Sequence, residues 1–283
     1  MNIEKIYPPF SVSMCVYGGD NADWFDASLE SVINQTLKPN EIVLVVDGPV
    51  PQKIDDIVQK YNRICEDKIY FNVVRLPSNE GHGNARRKSL NHCQYEYVAL
   101  MDADDISVPE RFEKQLDCFL QDDTLSIVGG NIVEFISDTG ETAGKRIVPQ
   151  EDAQIKTYMK SRCPMNQVTV MFKKHDVEEV GGYIDWYCEE DYYLWLRLAL
   201  ANKRFFNLDD ILVRVRVGNE MYNRRGGLEY FKSEAKLQKY MFNNHVIGIG
   251  TYTINVAKRF VVQVLLPNKI RGWVFRKFAR EKE

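Results

Sequence analysis

The chain has 283 residues, of which 45% are hydrophobic and 27% are charged, and its formal net charge is −3. This composition excludes a disordered chain and a multi-span membrane protein, and the length suits one large domain or one domain with an appendage. The small net charge gives no indication of a nucleic-acid partner. The six cysteines show neither C-x-x-C pairs nor zinc-site spacing, so we expect reduced thiols.

Strand and helix signals alternate through the first half of the chain. Between the apolar runs, hydrophobic residues recur at helical spacing, as in Phe25, Leu29, Val32 and Ile33. Repeated strand–helix units with apolar strands predict an α/β fold with a mostly parallel sheet flanked by helices on both faces. The predicted strands are residues 10–17, 41–47, 69–76 and 95–101.

The second half has a less regular pattern. The segments "LSIVGGNIVEF", "QVTVMF" and "ILVRVRV" have the composition of strands. Residues 189–201 are predicted to form a helix, and the pattern beyond Arg225 is helical. We therefore expect a sheet that continues to about residue 217, followed by a helical C-terminal extension.

An aromatic residue, a glycine and several polar residues stand at the ends of the first four predicted strands. Tyr17 ends the first and Asp47 ends the second, Asn79 and Gly81 follow the third, and Asp102 follows the fourth. The carboxyl ends of parallel strands share one edge of a sheet, where α/β proteins bind ligands. Each residue alone fits an ordinary turn, but together they predict a site for a nucleotide and a divalent cation.

The segment "LMDADDISVPE" places Asp102, Asp104 and Asp105 within four positions. Two carboxylates leaving a strand together suit Mg²⁺ or Mn²⁺, which prefer oxygen ligands. A calcium-binding EF-hand is excluded because Ile106 and Ser107 stand where an oxygen ligand and Gly are required. For Asp105 we expect only a favourable charge at the start of the next helix, and residues 107–110 predict a capping box for that helix.

The ordered motifs resemble the bacterial family 2 glycosyltransferases, which have the GT-A fold and build O-antigen or capsular polysaccharide. The resemblance covers roughly the first 225 residues. It rests on "SVSMCVY", "SLESVINQT", "EIVLVVDG", "NEGHGNARRKSL", "YVALMDADDISVPERFEKQ" and "GGYIDWYCEEDYYLWLRLAL", which occur in the order of the family.

The resemblance implies roles at matching positions. Tyr17 would lie against the uracil ring of a UDP-sugar, and Asp47 would accept a hydrogen bond from the base. Asp102 would lie near the ribose and sugar, and Asp104 would bind the Mn²⁺ or Mg²⁺ that bridges the diphosphate. The ribose and diphosphate would be lined by Asn79, Gly81 and Arg86.

Two positions depart from the family pattern. Gly48 replaces the usual second acid after Asp47, and Gly18 replaces the Asn that commonly follows the first-strand Tyr. Both changes affect the surroundings expected to hold the base.

The acceptor hydroxyl in such a transfer is a weak nucleophile and needs a general base. In the family the base comes from the Asp of a Glu-Asp pair, which matches Glu190 and Asp191. The resemblance therefore implies Asp191 as the base of an inverting reaction and Glu190 as its neighbour in acceptor binding. A simpler role for these acids is to complement the helix dipole at its N-terminus.

The predicted function is transfer of a hexose, with galactose the best single choice, from a UDP-sugar to a hydroxyl of a lipid-diphosphate-linked sugar. One alternative is a nucleotidyltransferase acting on a sugar phosphate, which is disfavoured because the first-strand turn "YGGDNAD" is acidic. A second alternative is a non-catalytic sugar-binding module of the same fold. The joint presence of Asp102, Asp104 and Asp191 argues against it.

The C-terminal end is basic. Residues 257–283 contain eight Lys or Arg and two Glu, a net charge of +6 that leaves −9 for the rest of the chain. After Pro267, apolar residues on one helical face are surrounded by cations, which indicates a helix lying on an anionic membrane surface. We expect a catalytic domain of residues 1–225 and a basic extension of residues 226–283. The N-terminus lacks a signal-peptide pattern, so we expect a cytoplasmic protein peripheral on the inner membrane.

Overall fold

A computed structural model of the chain describes residues 5–137, 139–218 and 226–267. In the first half, strands and helices alternate as the sequence predicts. Their order is β1 (Phe10–Tyr17), α1 (Ala22–Ile33), β2 (Glu41–Asp47), α2 (Gln52–Cys65), β3 (Tyr70–Arg75), α3 (His82–His92), β4 (Tyr97–Asp102), β5 (Ile106–Ser107) and α4 (Arg111–Gln121).

The second half is mixed. It includes a short 3-10 helix at Gln167–Thr169 within the predicted strand "QVTVMF", of which only the end is extended. The remaining elements are β6 (Leu125–Ile136), β7 (Thr142–Arg146), α5 (Asp152–Tyr158), β8 (Met171–Lys173), α6 (Lys174–Glu179), α7 (Glu190–Leu200), β9 (Arg204–Val217), α8 (Leu228–Asn243) and α9 (Ile249–Phe260).

The strands of the described residues form one sheet in the order β3-β2-β1-β4-β8-β6-β9-β5, with β7 paired to β6. Strands β1 to β4 are parallel to one another, with β1 between β2 and β4. Beyond β4 the sheet is mixed, because β8 runs antiparallel to β4 and β6, whereas β6 and β9 are parallel. The predicted α/β fold is confirmed, and its parallel part is the half that carries the predicted nucleotide site.

Helices cover both faces of the sheet. One core combines apolar residues of β1 and β2 with Phe25 of α1, Val58 of α2 and Phe112 of α4. The other core combines residues of α3 and α5 with Trp195 of α7 and Leu237 of α8. Burial of these large side chains is the main favourable contribution to folding. Helix α8 therefore packs into the same core as α7.

The capping box predicted at residues 107–110 is wrong. Helix α4 begins at Arg111, and its capping residue Glu110 makes no side-chain capping bond. Ser107 instead belongs to β5, and its hydroxyl accepts a hydrogen bond from Gln35 at 3.2 Å. A tertiary contact with the segment after α1 thus engages the hydroxyl that the local pattern assigned to the helix.

The C-terminal extension is helical as far as it is described. Helices α8 and α9 pack together, and Asn255 of α9 donates hydrogen bonds to Gln238 of α8 and to the carbonyl of Lys160. None of the described helices combines the length and apolarity needed to cross a membrane. The predicted membrane-contacting helix after Pro267 lies outside the described residues. The boundary at 225/226 stays a prediction.

Candidate active site

The carboxyl ends of β1, β2 and β4 bring three predicted site residues to one edge. Tyr17 and Asp47 are direct neighbours in the parallel register of β1 and β2. Asp102 of β4 pairs with Cys15 of β1, and Cys15 lies two residues before Tyr17. The shared register follows from the parallel pairing, so this part of the site is set by the sheet itself.

Tyr17 presents an accessible aromatic surface at this edge. Its side chain is 46% exposed, although the residue ends a strand that is otherwise almost entirely buried. Its backbone N–H donates to the Asp20 carboxylate at 2.9 Å, which ties the turn after β1 to the strand end. An exposed ring held on an ordered turn can stack on a planar base.

Asp47 organises the loop between β3 and α3. It is buried, and its carboxylate accepts hydrogen bonds from the backbone N–H groups of Glu80 at 2.7 Å and Gly81 at 3.1 Å. Asn79 lies in the same loop, and its side-chain amide donates to the Asp47 carbonyl at 3.4 Å. Asp47, Asn79 and Gly81 are therefore brought together, and their contacts with a base or ribose stay predictions.

The two departures from the family pattern have a steric reason. Gly48 has φ +85°, and a Cβ there would lie 2.5 Å from the backbone nitrogen of Asn79. A Cβ on Gly18 would lie 2.7 Å from the carbonyl oxygen of Pro49. Only glycine fits such close backbone approaches. The loops after β1, β2 and β3 are thus packed directly on one another.

Arg86 lies beneath the edge. It is 1% exposed, and its guanidinium donates to the carbonyls of Ser13 at 2.9 Å and Met101 at 3.1 Å and pairs with Asp102. The Asp102 side chain remains 31% exposed. Arg86 therefore fixes the carboxylate from behind, and its own contact with a diphosphate stays a prediction.

Asp104 and Asp105 are held by Arg216 of β9. The Arg216 guanidinium donates to the Asp104 carbonyl at 2.9 Å, and its backbone N–H donates to the Asp105 carboxylate at 2.8 Å. The guanidinium also stacks on Trp24 and Phe135, 5.1 and 4.7 Å from the ring centroids. Arg216 was not among the predicted site residues, although the alternating "VRVRV" marks it as a strand residue on a polar face.

Asp105 is not a helix-entry charge, which corrects the sequence prediction. It is buried and joins β5 to β9 through Arg216. Burial, followed by the Asp104 and Asp102 carboxylates, raises the pKa of Asp105 well above its usual range. Of the three acids, Asp102 and Asp104 remain partly exposed.

These two carboxylates fit a hard divalent cation. Among the described residues, no three His, Cys, Asp or Glu side chains cluster as a preformed metal site. Mg²⁺ characteristically takes one or two carboxylates and completes its coordination with substrate phosphates and water. Asp102 engages Arg86 through one oxygen, so its second oxygen is not part of that ion pair. Asp102 and Asp104 can therefore hold such an ion together with a bound diphosphate.

A cavity of about 560 Å³ adjoins the end of the loop that connects β3 to α3. Its lining includes His82 at the start of α3 and the acids Glu189, Glu190 and Asp191 at the start of α7. The volume is within the usual range for pockets that hold small molecules. The predicted base and its neighbour therefore face a space large enough for a sugar.

His82 joins this cavity to the strand edge that carries Tyr17, Asp47 and Asp102. Its Nδ1 lies 2.7 Å from a carboxylate oxygen of the nearly buried Glu190. His82 directly follows Gly81, whose N–H is bound by Asp47. One loop thus contacts both the strand edge and helix α7. From the sequence, His82 could touch substrate, although a single loop histidine is usually solvated.

The surroundings of Asp191 raise its pKa. Burial, followed by the neighbouring Glu190 carboxylate, raises the pKa of Asp191 to about 6. Its carboxylate accepts from the N–H of Tyr192 at 2.6 Å and lies 3.9 Å from the Cys163 sulfur. A base with a pKa near 6 is ionised at neutral pH and accepts a proton more readily than an ordinary carboxylate.

Comparison with known proteins identifies the family of this chain. The family "Glycosyl transferase family 2" matches residues 11–182. An uncharacterized glycosyltransferase of Haemophilus influenzae is 38% identical over 96% of this chain and 99% of its own length. A UDP-Gal:alpha-D-GlcNAc-diphosphoundecaprenol beta-1,3-galactosyltransferase of Escherichia coli is 32% identical, covering 96% of this chain and 97% of its own.

Solved structures give the same fold. The mannosyltransferase PcManGT from Pyrobaculum calidifontis, in complex with GDP-Man and Mn²⁺, superposes with a TM-score of 0.62 at 15% identity. That alignment covers 94% of this chain and 72% of the other. S. aureus TarS (residues 1–349) superposes with a TM-score of 0.59 at 18% identity, covering 95% of this chain and 78% of the other. The GT-A fold and the resemblance to glycosyltransferases of bacterial polysaccharide biosynthesis are thereby confirmed, and the chain belongs to glycosyl transferase family 2.

Proposed function

We propose that this glycosyltransferase is a metal-dependent, inverting enzyme that moves galactose from UDP-galactose to a lipid-diphosphate-linked sugar. The pathway would be the assembly of O-antigen or capsule. Support comes from the E. coli relative, which carries this type of activity in its name and matches along nearly its whole length. A β product formed from a UDP-sugar, whose anomeric bond is α, requires inversion.

The observation that carries the proposal is the contact between His82 and Glu190. It connects the loop at the nucleotide edge with the helix that bears the proposed base, at 2.7 Å. A donor bound at the strand ends and an acceptor bound in the cavity would therefore meet beside Asp191. Direct displacement needs the two substrates adjacent, with the base on the acceptor side.

The donor would bind along the strand edge. Tyr17 would stack on the uracil, and Asp47, Asn79 and Gly81 would line the base and ribose. Arg86 would act through Asp102, which it holds in place. Mn²⁺ or Mg²⁺, held by Asp104 and Asp102, would stabilise the negative charge that develops on the UDP leaving group.

The acceptor reaction is a single displacement. The Asp191 carboxylate takes the proton of the acceptor hydroxyl as the hydroxyl oxygen forms a bond to C1 of the sugar. The bond between C1 and the diphosphate oxygen breaks, and UDP leaves with its electron pair. Glu190, held by His82, would orient the acceptor, and its negative charge keeps the pKa of Asp191 raised.

The domain division and the membrane location expected from the sequence fit the same activity. We place the catalytic domain at residues 1–225 and treat residues 226–283 as an extension that completes the acceptor side. A lipid-linked acceptor requires access to a membrane surface, and the basic residues beyond Pro267 would supply attraction to anionic lipid. The enzyme would then work on the cytoplasmic face of the inner membrane.

The proposal is tested with UDP-galactose, UDP-glucose and UDP-GlcNAc, each assayed on a GlcNAc-diphosphate carrying a short alkyl chain. We expect transfer from UDP-galactose with Mn²⁺ and loss of transfer with EDTA. Transfer that persists in EDTA would refute metal dependence. If no UDP-hexose is turned over and UDP does not bind with Mn²⁺, the transferase proposal fails and a non-catalytic module becomes the better interpretation.

A further inference from the structure

The acceptor cavity has a cationic wall as well as an acidic one. Three of its acids come from the start of α7 and a fourth, Glu234, comes from α8, whereas Arg146, Arg162, Lys258 and Arg259 line it as cations. Arg146 is close enough to Asp191 to lower its pKa. The one cavity therefore combines a proposed base with several fixed positive charges.

Contacts between α9 and the segment after α5 assemble this wall. Arg259 donates a hydrogen bond to the Ser161 carbonyl at 3.0 Å, and Asn255 donates to the Lys160 carbonyl at 2.9 Å. Lys258 adjoins Arg259, and Arg162 adjoins Ser161. Two segments about a hundred residues apart in sequence thus place three cations on one side of the cavity.

Clustered cations repel one another, so they are stabilised by a bound anion. Glu234 lies 3.2 Å from Arg259 and offsets part of this charge. Lys258 is exposed and Arg162 is half-buried, whereas the Arg259 side chain is only 13% exposed and also contacts Glu234 and the Ser161 carbonyl. Arg binds phosphate oxygens through two parallel hydrogen bonds, and Lys binds them as a point charge. This combination suits a diphosphate.

The two sides of the active site therefore differ in how they can hold a diphosphate. The strand edge presents the carboxylates of Asp102 and Asp104, so an anion needs a metal ion there. The wall formed by Arg162, Lys258 and Arg259 can bind an anion without a metal ion. These cations line the same cavity as Asp191, so a sugar with its reacting hydroxyl at Asp191 can place its diphosphate against them.

We propose that Arg162, Lys258 and Arg259 form a metal-independent subsite for the diphosphate of the acceptor. The proposal rests on the proposed function, because it assumes that the acceptor sugar is linked to a diphosphate. It identifies the α9 extension as part of the substrate site and separates the acceptor's diphosphate from that of the nucleotide donor.

The test uses the full chain carrying Arg162→Gln and Lys258→Gln together. Two acceptors are compared: GlcNAc-diphosphate on a short alkyl chain, and the alkyl glycoside of GlcNAc without the diphosphate. We expect the KM for the diphosphate acceptor to rise about tenfold or more, because two charge-assisted contacts are lost. The KM for UDP-galactose and kcat/KM for the glycoside should stay unchanged.

Lys258→Glu alone gives a second measurement that does not depend on Arg162, and Lys258 is exposed enough for the fold to tolerate it. It should raise the same KM. Lys239→Gln, on α8 and outside this cavity, is the matched charge control and should have no effect.

Three outcomes would overturn the subsite. The first is an equal effect on both acceptors, the second is no effect of either variant, and the third is a rise confined to the KM for UDP-galactose, which would assign the cations to the donor. Failure of the proposed function looks different, because the unmodified enzyme would then transfer sugar to neither acceptor.

Discussion

At the scale of single residues, the pKa of Asp191 makes the proposed mechanism testable by pH. The pKa is raised to about 6, and the carboxylate must be ionised to accept a proton. Protonation below that value removes the base, so kcat/KM should fall about tenfold per pH unit below pH 6.

Asp191→Asn should lower kcat about 10²- to 10⁴-fold and leave UDP-galactose binding nearly intact, as measured by calorimetry.

Glu190 provides a check on this assignment. Its carboxylate is the second largest cause of the raised pKa of Asp191, after burial. Glu190→Gln should therefore shift the acid limb of kcat/KM to lower pH, whatever it does to acceptor binding. Glu229→Gln, on the exposed first turn of α8, should leave the limb in place. A profile that is flat from pH 5 to 8 in the unmodified enzyme would refute Asp191 as the base.

At the scale of elements, Asp105 fixes the short strand β5 against β9. Its carboxylate accepts the backbone N–H of Arg216, and it is almost fully buried. Asp105→Ala leaves that donor without a partner and should lower the free energy of unfolding by about 1–3 kcal/mol. Asp105→Asn keeps an acceptor oxygen and removes a buried negative charge. Urea unfolding should therefore show a smaller loss in the free energy of unfolding than Asp105→Ala shows, or a gain. Equal losses in both variants would contradict this role.

The sequence predicts elements well where burial is local and periodic. The strand of residues 41–47 is buried at every position, so its composition alone identifies it. The same reasoning fails at Ser107, because its hydroxyl is engaged by Gln35 of the segment after α1. A capping pattern describes only neighbours in sequence, and a contact over seventy residues overrides it.

At the scale of the whole molecule, the two sides of the active site differ in how far the sequence reveals them. The strand edge that brings Tyr17, Asp47 and Asp102 together was predictable, because the carboxyl ends of parallel strands share one edge of a sheet. The cationic wall was not, because Arg162 and Arg259 meet only through the packing of α9 on the segment after α5. The helical pattern of the extension gives no indication of which face turns toward the active site.

The basic end of the chain leads to a last prediction at this scale. Residues 268–283 contain six Lys or Arg and two Glu, and each cation near an anionic surface contributes about 1 kcal/mol. Ending the chain at Pro267 should therefore weaken binding to phosphatidylglycerol vesicles about tenfold or more in sedimentation assays. Binding to neutral vesicles should change little, and raised salt should reduce the difference. Because the truncation leaves α9 and the cavity residues in place, transfer to the short-chain acceptor should persist. Unchanged binding to anionic vesicles would refute the proposed membrane contact.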